Sequence, residues 1–275
     1  MKKFLFSIFL VLIIATLFVG CSGEKNSKKD TLVVGMELAY PPFETKDQNG
    51  EATGISVDFI KEFGKYIGRD VKIENIAWDG LIPSLQTKKV DLVISSMTIT
   101  DERKGIVDFS NPYANSLLGM LVNRDGKVKT VEDLNKSGAV IAVKTGSTGF
   151  LYAQKYLKDA QIRSFSDESA CVTEVVQGKA DVFLYDQLTI YRNWQNNKEV
   201  TEAIFIPFQE AEKWGVAFPK GNEELVIKMN EFIEKFYSDG GFERLSEKYL
   251  PEERKAFKEL GFQWFFDLKN GENNA

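Results

Sequence analysis

Four short segments gather the side chains of this chain that could bind or react. Ser95 to Arg103 (SSMTITDER) sets short hydroxyls beside one guanidinium. Such a set suits a carboxylate, because arginine offers a planar, two-pronged donor fork. Lys144 to Gly149 (KTGSTG) places glycines and hydroxyls where a helix would begin, so that backbone N–H groups can meet an anion. It is not a nucleotide P-loop, since no Gly-Lys-Ser/Thr closes it. Tyr185-Asp186-Gln187 puts a carboxylate at a strand end, suited to an ammonium group or simply to capping the next helix. Met36 to Phe43 (MELAYPPF) carries Glu37 and Tyr40 in a loop that two prolines stiffen. Bland readings stand beside these. Arg103 can pair with Asp101 or Glu102 at a surface, and Lys144 can be a solvated lysine.

Each segment follows an apolar strand, and the strands alternate with helical spacing. Thr31–Gly35 reads as a strand, Val57 to Ile67 as a helix, Val71–Ile76 as a strand, Leu81–Gln86 as a helix and Asp91–Ser95 as a strand. After a strand at Ser116–Val122 the pattern restarts, with strands at Val140–Val143, Ile162–Phe165 and Val182–Tyr185. Helices are expected at Phe150–Leu157, Ala170–Val176 and Leu188–Trp194 between and after them. Leu85 to Ser95 (LQTKKVDLVIS) is echoed by Val176 to Tyr185 (VQGKADVFLY). This predicts an α/β protein of two similar lobes with mainly parallel sheets. In open α/β sheets ligands sit beyond the carboxyl ends of the strands, which is where the four segments lie. A late strand at Lys213–Pro219 and a helix at Leu225–Tyr237 would return the chain to the first lobe. Pro251 to Leu268 carries seven large apolar side chains in an extra helix and aromatic segment, expected to pack on the first lobe or the hinge face.

Composition removes several classes of function. The 275 residues contain no histidine, which excludes histidine triads, histidine bases and most zinc or haem sites. Two cysteines, Cys21 and Cys171, are too few for a thiolate cluster, so no metal or other cofactor is expected. Cys171 sits among apolar neighbours and reads as a buried thiol. A net charge of −5 without a long basic run argues against nucleic acid. Lys2 and Lys3 precede an apolar run, Phe4 to Val19, that is shorter than the ~20 residues of a spanning helix. That is the pattern of an export signal. Phe18-Val19-Gly20-Cys21 resembles a bacterial lipobox, which implies removal of 1–20 and diacylation of Cys21. The polar stretch 21–30 then reads as a tether, and the protein as extracytoplasmic and lipid-anchored to the cell membrane.

The motifs taken together resemble a known family. AYPPFE (39–44), WDGLIPSLQTKKVDLVISSMTITDERK (78–104), VDFSNPY (107–113), VKTGSTG (143–149), ADVFLYD (180–186) and WGVAFPKG (214–221) are similar to the polar amino-acid-binding proteins of bacterial ABC importers, extracellular solute-binding family 3. The resemblance implies a two-lobed periplasmic-binding-protein-like fold of type II with two hinge strands. Residues 31–120 and 214–268 would form the first lobe and 121–213 the second, with the hinge near Leu118–Val122 and Trp214–Phe218. It implies that Arg103 grips a ligand α-carboxylate, helped by Thr98, Ser147 and Thr148. Asp186 would accept the α-ammonium, assisted by Ser96. Tyr40 and Trp78 would sandwich the side chain, with Glu37 at its far end. Permease and ATPase subunits of an importer are the implied partners of a monomer.

A zwitterion uses Arg103 and Asp186, leaving Glu37 as a second acid. With the aromatic pair this favours a flat or extended cationic side chain. Arginine is expected first, then lysine or ornithine, then glutamine. The alternatives are an enzyme of the same fold, cyclohexadienyl dehydratase-like, and an amino-acid sensor domain. No carboxylate pair or nucleophile–base pair is visible, and an acid facing an ammonium stays ionised, which suits holding and not proton donation.

Overall fold

The computed structural model describes residues 30–205 and 210–268. The expected signal segment, Cys21, all but the last residue of the tether, and the tail 269–275 lie outside the described residues. From Thr31 onward the chain builds two five-stranded sheets of matching design. In the first, Thr31–Met36 runs parallel to Asp70–Asn75 and Leu92–Val93, and Ala217–Phe218 and Asp108–Phe109 close the sheet antiparallel. In the second, Val140–Lys144 runs parallel to Gln161–Phe165 and Val182–Asp186, followed by Leu118–Asn123 and Thr201–Ile204 antiparallel. The repeated sequence halves thus become repeated topology.

The central strands are apolar on both faces because helices cover both. Ile141 and Val143 pack with Ala153 and Leu157, on and just after helix Thr148–Tyr156. Ala142, facing the other way, meets Cys171 and Val175 of helix Glu168–Val176. Burial pushes the Cys171 thiol up to about 12, so it stays an inert thiol at neutral pH. In the first lobe Phe59 lies 5.2 to 5.8 Å from the rings of Tyr113, Phe232, Phe236 and Phe242, at the centre of an aromatic core.

The second sheet begins earlier in the chain than the expected lobe boundary. All six residues of Leu118–Asn123 are buried within the second sheet, and Ala217–Phe218 belongs to the first. The crossing elements are Ala114–Ser116 and Glu212–Trp214, which form their own two-stranded antiparallel ribbon. The continuous apolar run hides a break at Leu117, where the chain leaves the ribbon and enters the sheet. The change of lobe therefore falls at Leu117 and not at residue 120.

The aromatic tail packs on the aromatic core of the first sheet and on the ribbon. Phe257 and Phe265 are fully buried there, and the Phe265 carbonyl accepts from the Asn115 N–H of the ribbon at 2.7 Å. The segment also touches the second lobe. Phe262 packs on Phe205 (4.7 Å), Phe257 on Tyr191 (5.7 Å), and Glu253 pairs with Arg192 (2.6 Å).

Candidate ligand-binding site

All nine expected site residues line one cavity between the sheets. It holds about 490 Å³ of empty space, part of it open to solvent. The strand ends bring the residues there. Glu37 follows Thr31–Met36, Ser95 to Arg103 follows Leu92–Val93, Ser147 and Thr148 follow Val140–Lys144, and Asp186 ends Val182–Asp186.

Asp186 has two oxygens with different fates. Oδ1 accepts from Leu188 N (2.9 Å) and Thr189 N (3.1 Å), capping helix Gln187–Asn196, and from the Tyr40 hydroxyl across the cleft (2.7 Å). Oδ2 is buried without a hydrogen-bond partner. Burial raises the carboxyl above its ordinary range, and the hydrogen bonds from Tyr40 and Thr189 pull it back down. Capping and an open acceptor coexist in one side chain. Tyr40 is held by this bond and by stacking on Phe43 (5.5 Å), so it positions Asp186 as well as lining the cavity.

Arg103 is buried at 6% exposure. Its Nη1 donates to the Thr98 carbonyl (2.7 Å) and its Nη2 to the Gly146 carbonyl across the cleft (3.0 Å). The guanidinium lies 5.3 Å from the Trp78 ring centre. Burial holds its pKa below the usual value, and Glu212 and Glu102 counter that. Gly146 is required at this contact. Its φ is +72°, and a Cβ there would meet Trp78 Nε1 at 3.3 Å. Ser147 accepts from Phe150 N (3.2 Å) as the cap of helix Thr148–Tyr156.

Two expectations are corrected. Glu37 is not left to meet a ligand alone: Lys144, 4% exposed, crosses the cleft to pair with its Oε2, and Trp78 N donates to its Oε1 at 3.2 Å. Lys144 also lies 5.7 Å from the Trp78 ring centre, so it is no solvated lysine. Ser96, with φ +48°, turns its hydroxyl not to Asp186 but to the Glu44 carboxylate (3.1 Å). Glu44 is fully buried, and burial raises its pKa to about 8.

Glu212 was missed by sequence reasoning. Its Oε2 accepts from Thr98 Oγ1 (2.7 Å) and Thr148 Oγ1 (3.0 Å). The signal was available: in the strand Glu-Lys-Trp, period-two alternation sends Glu212 and Trp214 to one face, and both line the cavity.

A family model, bacterial extracellular solute-binding proteins, family 3, matches residues 32–252. The chain belongs to this family. Among its relatives, the L-cystine-binding protein TcyJ of Escherichia coli is 32% identical over 82% of this chain and 85% of its own length. The ABC transporter glutamine-binding protein GlnH of Bacillus subtilis is 31% identical over 92% and 99%. A solved structure of an ancestral arginine-binding protein bound to arginine is also similar (TM-score 0.74, 34% identity, 81% of this chain and 99% of that one). The same description recurs with glutamine bound, at TM-score 0.73. These relatives of the family 3 chain are named for what they bind, and not for a reaction.

Proposed function

We propose that this family 3 protein captures one L-amino acid between its lobes and delivers it to the permease and ATPase subunits of an importer, without chemistry. One observation carries the reading. Arg103 from one lobe and Asp186 from the other line a single cavity, and Asp186 Oδ2 is buried there with no partner. In its charged form a buried acid with an unpartnered oxygen is satisfied when a cation meets it, and an α-ammonium does so while the α-carboxylate takes Arg103. Cys21 would anchor the chain at the outer face of the membrane.

The far end of the pocket offers a base as well as an acid, since Glu37 and Lys144 are paired. A group with both a donor and an acceptor matches that pair. A carboxamide does, and so does a second amino-acid head. Glutamine and cystine therefore move ahead of arginine, which would have to compete with Lys144 for Glu37. The glutamine and cystine names of two relatives support this order. A thermal-shift panel of the twenty amino acids plus cystine tests both levels. A ligand at ~100 times its Kd adds ~2.7 kcal/mol of stability. Glutamine or cystine should give the largest rise. A largest rise with lysine or arginine would return the assignment to a cationic ligand, and no rise at all would reject amino-acid capture.

A further inference from the structure

The crossover ribbon carries an acid into the place where a ligand carboxylate would bind. Glu212 is fixed there by its backbone: its strand pairs with Ala114–Ser116 on one side. On the other side, Ile99 N donates to Lys213 O (2.8 Å) and Gly215 N to Met97 O (3.0 Å). Its carboxylate takes the hydroxyls of Thr98, in the first lobe, and Thr148, which opens a helix of the second. Each hydroxyl has one proton to give. While Glu212 holds both, neither can donate to another carboxylate. Arg103 spends single N–H groups on the Thr98 and Gly146 carbonyls and feels the Glu212 charge.

We propose that Glu212 is the site's own stand-in for the ligand carboxylate. Capture exchanges one carboxylate for another at the Thr98–Thr148 hydroxyl pair, and Glu212 is displaced. Because Glu212 sits on a crossover strand, the exchange is felt at the element that joins the lobes, which couples ligand binding to the hinge. The inference rests on the amino-acid reading above. It makes Glu212 a residue that sets affinity for the α-carboxylate specifically.

Glu212→Gln keeps the shape and a neutral acceptor but removes the charge, and a neutral acceptor releases hydroxyls more readily. Calorimetric titration would use L-glutamine and L-arginine, each beside its α-carboxamide, with wild type and variant. The variant should bind the free amino acids about tenfold more tightly, since like charges brought together oppose binding. The α-carboxamides should change less than about twofold. Thr148→Val removes one of the two hydroxyls and should shrink the Glu212→Gln gain, so that the two substitutions are non-additive. Equal changes for acid and amide would make Glu212 merely structural and overturn the inference. So would weaker binding of the free acids alone, or full additivity with Thr148→Val. If none of the twenty amino acids or cystine binds either form, the amino-acid reading fails and this inference falls with it. A binding wild type whose acid-to-amide ratio the variant leaves unmoved sinks Glu212 alone.

Discussion

Asp186→Asn separates the two jobs of one carboxylate. Asparagine caps helices as well as aspartate does, and its carbonyl can keep the bonds that Oδ1 takes from Leu188 N, Thr189 N and Tyr40. In place of the unpartnered Oδ2 it puts an NH₂ group. A ligand ammonium then loses its charged acceptor and meets a donor. Removing one partner of a buried charge pair costs about 2–5 kcal/mol, which is roughly 30-fold to several thousand-fold in Kd. Stability without ligand should move the other way. Burial raises the Asp186 pKa in the folded protein, so folding loses stability as pH climbs from the unfolded value through the folded one. Asparagine escapes that loss. Each ~1 kcal/mol so relieved lifts the melting temperature by ~2–4 °C for a chain of this size. Calorimetry of the ligand-free variant and titration with the amino acid that stabilises wild type give both numbers. An unchanged melting temperature with unchanged affinity would show Asp186 to be a helix cap and nothing more.

Three further outcomes follow from the same geometry. Glu37→Gln or Lys144→Met alone strands a buried charge and should destabilise by ~3–5 kcal/mol, whereas the double variant should cost less than the sum; strict additivity in thermal melts would mean the pair does not act as one. Glu44 and Glu168 both have pKa values raised to about 8 by burial, so the ligand-free protein should lose stability as pH rises from about 5 to 8. The chain has no histidine to titrate in that window, and Glu44→Gln should flatten the melting-temperature slope there; a slope unaltered by it would contradict the assignment. Arg192→Ala removes the link from the second lobe to Glu253 (2.6 Å) and to the Pro41 carbonyl (2.7 Å), and should weaken every bound amino acid by a similar small factor; a change confined to one ligand would place Arg192 in the pocket instead.

The strands were legible because their apolar runs and the repeated Gln-Lys-Asp turns are local patterns, and the site loops follow from the strand ends. The pairing inside the site was not. Lys144 and Glu37 are 107 residues apart and Tyr40 and Asp186 are 146 apart, each pair joining opposite lobes. Nothing local in Lys144 separates a buried partner from a solvated charge. Glu37 was therefore read as an acid awaiting a ligand, when a neighbour already meets it. The start of the second sheet was misplaced for a similar reason. Ser116 to Val122 reads as one strand, although Ser116 belongs to the ribbon and Leu118 to the sheet.

If the chain captures an amino acid as proposed, division of the site between lobes requires both lobes to meet one ligand. The first lobe holds Arg103 and the second holds Asp186, which the proposed function assigns to the two ends of a zwitterion. Neither lobe alone meets both charges, so affinity depends on the fraction of molecules in which the two stand together. That fraction answers to residues outside the pocket. The family match ends at residue 252, and beyond it Glu253 binds Arg192 of the second lobe, Phe262 packs on Phe205, and the Phe265 carbonyl takes the Asn115 N–H of the ribbon. The pocket lies in the family part of the chain, while part of what restrains the lobes lies past it. Ligand preference and closing equilibrium can therefore be altered separately: substitutions at Glu37 or Lys144 should reorder ligands, and substitutions at Glu253 or Phe262 should scale all affinities together.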